Sequence, residues 1–517
     1  MKLNYKRTIL VGFAFFLISA FWQAYDATIP VILTNKFGMS QTWSGLIMAL
    51  DNILAVFMLP IFGALSDKCV ANKYGKRTPF ILFGTILAAC ALVALSFVDA
   101  AQLKNISDVS AIDDPAALET IYDRQQNKEL TTPDGEKFTL ADKFHKDEFA
   151  SITSKLTLAS GDVITNPDYT NYVAPARQAC AADATAANST PLVLFVVLLL
   201  AVLIAMATFR SPAVALMPDV TIKPLRSKAN AIINLMGTAG GIIVLVLGMV
   251  FATGSVQNSM MNYTLYYGVI GALMLGALVI FRLTVKEKEW SAEMQRTSQE
   301  LGIEEEEPQD VYTRQLSKPE KRSLLLILAS IALWYIGYNA ITSKYSLYAS
   351  RVLDMDYNTT LLLAQAAAIV SYLPAGIVAS KIGRKKTILA GVVMLTSAFA
   401  IASFLRAGSS VLLMNVLFCL AGIGWATINV NSFPMVVEMC SGSDIGKYTG
   451  YYYTASMAAQ IVTPVLSGAL MDMTGKMTIL FPYAAIFAGM AFLTMFFVRH
   501  GDAKPEAKQG LEALDNE

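Results

Sequence analysis

Long apolar stretches alternate with short polar ones along almost the whole chain. A helix that crosses a membrane needs about 20 apolar residues, because it rises about 1.5 Å per residue and must satisfy its own backbone across about 30 Å of hydrocarbon. Twelve stretches fit, at residues 9–33, 41–64, 79–98, 191–218, 229–253, 263–283, 323–348, 359–380, 386–405, 411–438, 448–471 and 480–499. The first follows a basic head and resembles a secretory signal peptide in outline. It runs on through FWQAYDATIPVIL without a small-residue cleavage site, so it is read as a retained first span.

Two polar stretches interrupt the rhythm. Residues 99–190 carry 15 acids against 8 bases, with PDG and NPD turn signals and some apolar content, and are either a small folded cap or a loosely ordered loop. Residues 284–322 combine helical periodicity with the acid run EEEE and read as a solvated linker. The remaining connections alternate in charge. Lys and Arg gather in KLNYKR, DKCVANKYGKR, KPLRSK, the linker, SKIGRKK and the final RHGDAKPEAK. Such clusters face the cytoplasm. Both termini and the linker are therefore expected inside, and residues 99–190 outside, in a multi-pass protein of the cell membrane.

Composition agrees with the pattern and narrows the chemistry. The chain is 55% hydrophobic and 15% charged, with a mean hydropathy of +0.50, which excludes an ordinary water-soluble globule. The formal net charge of +1 is segregated along the chain and points to no nucleic-acid partner. Cys69, Cys90, Cys180, Cys419 and Cys440 show neither paired nor metal-ligand spacing, and His145 and His500 lie in polar segments. No metal, cofactor or enzymatic activity is expected.

Set aside the two polar stretches and the chain repeats itself. GALSDKCVANKYGKR after span 2 parallels GIVASKIGRKK after span 8; WQAYDATIP in span 1 parallels WYIGYNAIT in span 7, setting Tyr25 and Asp26 against Tyr338 and Asn339; and ALMPDV closing span 4 parallels PMVVEM closing span 10, setting Asp219 against Glu438. Internal repeats of this kind are a feature of secondary transporters. Residues 1–283, with the insertion 99–190, read as one six-helix bundle and 323–499 as a second; 284–322 joins them on the cytoplasmic side and 500–517 is a cytoplasmic tail.

These motifs resemble the major facilitator superfamily. Gly63, Asp67, Lys68, Gly75, Lys76 and Arg77 match its signature after span 2, with extra residues between Lys68 and Gly75. That insertion, RSPAVALMPDVTIKPLRSKANAIINLMG and NSFPMVVEMCSGSDIGKYTGYYY are similar to the sucrose/proton symporter branch of the glycoside–pentoside–hexuronide carriers. The resemblance implies an all-α membrane protein with twelve transmembrane helices in two pseudo-symmetric bundles. It further implies uptake of a disaccharide or related saccharide by alternating access, coupled to a cation, the proton; a monomer is expected. A carrier or exporter of another small solute, and a transporter-like sugar sensor, are the alternatives.

Charges in hydrocarbon cost about 3 kcal/mol or more and are expected only where they pair or meet water. Asp26 in span 1, Asp51 in span 2 and Arg210 in span 4 are such charges, and either acid can carry the coupled proton; Lys344 in span 7 is a candidate partner of Asp26 in closing the outer side. For Asp219 two roles stand open: a latch in which Asp67, Lys68, Arg77, Asp219, Arg384 and Glu438 hold the cytoplasmic ends together, as the superfamily implies, or the coupling acid, as the sucrose branch implies. A saccharide needs amides and aromatic faces. Trp22, Gln23, Tyr25, Asn234, Trp334, Asn339, Gln365, Trp425, Asn429, Asn431 and Gln460 lie within spans and are the binding candidates.

Overall fold

A computed structural model of the chain describes residues 3–69, 74–157, 163–222, 225–300, 316–437, 439 and 445–500. Twelve long helices carry the fold: α1 (Tyr5–Asn35), α2 (Gln41–Lys68), α3 (Thr78–Asn105), α4 (Thr190–Val220), α5 (Arg226–Val250), α6 (Thr264–Thr284), α7 (Lys318–Tyr348), α8 (Tyr357–Ile382), α9 (Arg384–Ala402), α10 (Val411–Val437), α11 (Ile445–Thr474) and α12 (Leu480–Phe496). Each falls on one of the twelve expected spans. Among the described residues eleven are long and apolar enough to cross a membrane, and α8 has 26 residues in the twelfth place. Several outrun their apolar stretch. Polar residues at a helix end need only a partner or water, so α3 continues through Asp99 and Gln102, both fully buried.

The repeat is visible in the packing. In the first half α1 packs on α5 and α6, α3 on α4 and α6, and α2 on α4; in the second, α7 packs on α11 and α12, α9 on α10 and α12, and α8 on α10. Each half has its own apolar core, one including Phe21, Leu95, Phe209 and Phe281, the other Trp334, Phe399, Phe418 and Phe481. Large apolar side chains such as Phe83, Phe97, Leu283 and Phe404 point outward. In water that would be a liability; against lipid it is the expected surface. The halves meet where α2 crosses α11 and α5 crosses α8. Gly45 of α2 lies against the Pro464 carbonyl and Gly468 of α11 against the Gln41 carbonyl, with no room for a Cβ at either.

The described residues between 106 and 189 fold into a cap. Two short hairpins, Leu130–Thr131 with Lys137–Phe138 and Lys155–Thr157 with Val163–Thr165, accompany the helices Pro115–Gln125 and Ala174–Ala187. Ile121, Phe138, Phe149, Tyr169, Val173 and Cys180 form its core. Of the two sequence expectations, the folded cap is the one observed, because turn residues and scattered apolar positions suffice for a small separate core.

The linker departs from its reading as solvated. Its helix Glu287–Glu300 docks on the first half, with Glu287 only 2% exposed. The Glu287 carboxylate accepts from Lys76 N, Arg77 N and Thr78 N at 2.7, 2.8 and 2.7 Å, and from Thr78 Oγ1 at 2.7 Å. It caps the otherwise unsatisfied N–H groups of α3 and meets the positive end of that helix. Gly75, with φ +114°, allows the approach, since a Cβ there would strike the carboxyl group. Arg7 of α1 completes the seat, 2.7 Å from Glu293 and over the Trp290 ring.

At the cap face the Lys36 ammonium and the Asp99 carboxylate form a fully buried pair at 2.7 Å. Lys36 also donates to Met261 O at 2.7 Å and lies over the Tyr263 ring, and Gln102 donates to Lys36 O at 2.8 Å. The pair thus joins the ends of α1 and α3 and the start of α6. Removing one partner strands the other charge, which costs about 3–5 kcal/mol, whereas replacing both by apolar residues of similar volume costs far less. Asp99→Ala should therefore lower the thermal midpoint in detergent sharply, and Lys36→Met combined with Asp99→Leu should recover most of the loss. Equal midpoints for the single and double variants would show that a stranded charge is not what destabilises the fold.

Candidate functional site

A cavity of about 560 Å³ lies between the halves, at mid-length of the helices. It is within the range of small-molecule sites. Helices α1, α5, α7, α8 and α10 supply most of its lining, α1 and α7 each with a stripe at helical spacing. Phe15, Ser19, Trp22 and Asp26 line it from α1, and Tyr335, Tyr338, Thr342 and Ser346 from α7. Successive steps of three or four residues put each set on one face of its helix.

The α1 side carries charge. Asp26 and Arg210 line the cavity, and Asp51 lies within electrostatic reach of both. Asp51 itself is not part of the lining; its carboxylate accepts from Asn52 Nδ2 at 2.7 Å. The Arg210 guanidinium stands over the Trp22 ring, 5.6 Å from its centre, a cation–π contact that shields part of the charge. Two residues on, Pro212 interrupts the α4 hydrogen-bond ladder, and Pro218 does so again one residue before Asp219.

The opposite wall is aromatic. Trp425 of α10 stacks on Tyr338 with ring centres 3.7 Å apart and planes 6° from parallel, and Tyr335 meets it edge-on at 5.2 Å. Tyr335 and Tyr452 hydroxyls are 3.5 Å apart. Amides complete the lining: Asn234 of α5, Asn429 of α10, and Gln365 of α8, whose Nε2 donates to Gln23 Oε1 of α1 at 2.7 Å and so joins the two halves. Such a chamber offers hydrogen bonds to hydroxyls, flat ring faces to C–H surfaces, and a carboxylate able to hold a proton.

Of the sequence candidates, Trp22, Gln23, Asp26, Arg210, Asn234, Gln365, Trp425 and Asn429 come together here. Tyr25, Trp334 and Asn431 are instead buried in packing, and Asn339 and Gln460 are not in the lining. The repeat explains one misplacement. Tyr25–Asp26 aligns with Tyr338–Asn339, but α1 presents the second residue of its pair and α7 the first. Tyr335, Tyr338, Tyr372 and Tyr452 went unselected by the sequence reading; for Tyr335 and Tyr338 the stripe shared with Thr342 was the available signal.

The expected Asp26–Lys344 contact is absent. Lys344 is buried nearer the cap face, where its Nζ donates to Gln41 O at 2.9 Å and lies 3.4 Å from Gln41 Oε1. An acid absent from the sequence candidates, Asp472 of α11, caps α2 beside it. Asp472 accepts from Gln41 N at 2.9 Å, Thr42 N at 2.7 Å and Thr42 Oγ1 at 2.5 Å. Free N–H groups at a helix start attract a carboxylate more cheaply than a reach into the cavity would.

At the opposite, linker face Asp219 pairs with Arg77 Nε at 2.8 Å and with Lys76 Nζ at 3.5 Å, and Arg77 also donates to Ser66 Oγ. All four belong to the first half, so this pair ties α4 to α2 and α3 rather than half to half. Lys68 ends α2 exposed, and Arg384 starts α9. Asp67 stands in α2 with its side chain outside the described residues, as is Glu438. Among the described residues, no cluster of three His, Cys, Asp or Glu is placed to hold a metal ion.

Residues 174–373 and 359–514 match a family model described as Major Facilitator Superfamily, and residues 10–102 one described as MFS/sugar transport protein. The MFS-type transporter ppzB of Metarhizium rileyi is 30% identical over 138 residues, 26% of each chain. Sucrose transport protein SUC3 of Arabidopsis thaliana is 37% identical over 68 residues, 13% of this chain and 11% of that one. The matches thus span about a quarter or less of these relatives' lengths. The inward-open xylose transporter XylE from E. coli superposes with a TM-score of 0.55 at 13% identity over 99% of both chains, and a peptide transporter POT bound to sulfate with 0.56 at 11% identity over 95% and 93%. At such identities the likeness is one of fold. The first family match runs over more than half of the chain, so the chain belongs to the Major Facilitator Superfamily, and its long apolar helices make it a multi-pass membrane protein.

Proposed function

We propose that the protein is a proton-coupled importer of a disaccharide or related sugar, working by alternating access between bundles 1–283 and 323–499. The observation that carries the reading is the asymmetry of the cavity, with Asp26 and Arg210 on one wall and the Tyr338–Trp425 stack on the other. Local similarity to a sucrose transport protein and shared fold with a D-xylose–proton symporter support it. In this reading Asp26 carries the proton, Asp51 and Arg210 set its field, and the sugar stacks on Trp425 while Gln23, Asn234, Gln365 and Asn429 bind its hydroxyls. Asp51 is the rival coupling acid, and Asp219 the next candidate after it. Lys344 with Gln41 and Asp472 closes the outer side, the cap faces outward, and the termini are cytoplasmic.

Asn at the coupling position imitates a permanently protonated acid. Asp26→Asn should still exchange labelled sugar for sugar across a liposome membrane but should no longer accumulate it against a gradient, because exchange needs no net proton movement. Uphill uptake with proton flow in both Asp26→Asn and Asp51→Asn would move the coupling site elsewhere, Asp219 first. Losing the stacking face should cost about 1.5 kcal/mol or more, so Trp425→Ala is expected to weaken sugar binding about tenfold, while Gln460→Ala, outside the lining, changes it less than about twofold. Similar affinities for the two variants would remove the aromatic wall from the site. In a cysteine-free background, a cysteine placed at exposed Lys137 in the cap should react with an impermeant maleimide in intact cells, and one at Glu300 should not. The reverse pattern would invert the topology.

A further inference from the structure

A second, much smaller cavity of about 40 Å³ lies where the cap meets both bundles, lined by Asn35, Tyr169, Arg177, Gln178, Ser259 and Arg351. Arg177 is 4% exposed. Its Nη1 donates to the Tyr169 hydroxyl and its Nη2 to Ala111 O at 3.2 Å, while Nε is buried with no partner. Arg351, half-buried just past α7, donates to Gln178 Oε1 and Asn35 Oδ1, each at 2.5 Å. A guanidinium has five N–H donors, so both keep unused ones. Every acceptor they have is neutral. Burial pushes the Tyr169 phenol above its ordinary value, so it too stays uncharged. Asp113, whose field reaches Tyr169, has its oxygens engaged by Ser154 N at 2.5 Å and Ser154 Oγ at 2.7 Å. Among the described residues neither guanidinium has a carboxylate within 4.0 Å.

Two guanidinium groups around one cavity, without a paired acid, are costly to enclose. We infer that this cavity binds one small inorganic anion, chloride or a phosphate-like oxyanion, between Arg177 of the cap and Arg351 of the second half. A space of this size suits a small ion. The cap grows from α3 and α4 of the first half, so the anion bridges the halves. It binds where the two arginines converge and thereby favours the arrangement with the cap face closed.

The test uses purified full-length protein in detergent, exchanged into sodium gluconate at fixed ionic strength and titrated separately with chloride and with inorganic phosphate. Saturable binding of one ion per protein is expected by calorimetry, together with a saturable rise in the thermal midpoint. Saturation by chloride alone identifies a halide site, and saturation by phosphate an oxyanion site. Arg177→Gln and Arg351→Gln should each weaken the binding about tenfold, the loss of one charge-assisted contact. Absence of saturable binding of either ion to the unaltered protein overturns the site, whatever the variants do. Undiminished binding in both variants overturns it equally.

Discussion

A charge taken out of water must be paired, capped or wetted again, and the positions of this protein's charges inside the fold follow from which of the three each one finds. Lys36 and Asp99 find each other and are sealed at the cap face. Lys344 and Asp472 find the start of α2, where Gln41 and Thr42 offer a carbonyl and free N–H groups. Asp26 and Arg210 open on the central cavity, with Arg210 sheltered by the Trp22 ring. The first two solutions hold helices together. The third leaves charge available for chemistry, which is why the cavity rather than the buried pair is the place to look for transport.

The same constraint explains what could be read in advance. Spans were legible because a helix facing lipid and neighbours is apolar all round, and length alone then marks it. The repeat was legible because its motifs sit at helix ends, where glycines and charges stand out. Which face of a span looks into the cavity was harder, since a helix apolar on every side has no marked face. Tyr335 and Tyr338 passed as packing, and Tyr25 and Trp334 passed as site residues, for that reason. Partners far apart in sequence were out of reach. Nothing near Glu287 announces that it will cap α3, 209 residues earlier at Thr78, and nothing near Lys344 that it will settle on Gln41.

The one-residue offset between the halves gives the cavity its chemistry. Had α1 and α7 presented the same member of their repeated pair, the walls would have been alike, two aromatic or two polar. Instead Asp26 faces in from one side and Tyr338, backed by Trp425, from the other. A ligand with one polar edge and one flat apolar face then has a single preferred orientation.

The glycine contacts between α2 and α11 also have a mechanical meaning. Gly45 and Gly468 bring the two backbones together close to the cap face, where bulkier residues would have held them apart. From each glycine its helix runs a further 23 residues, Gly45 to Lys68 and Gly468 to Ile445, an arm of about 35 Å on either side of the pivot. Two equal arms on a fulcrum near one end make a lever: a tilt of about 10° at the glycines displaces the far tips by about 6 Å each, while the cap end barely moves.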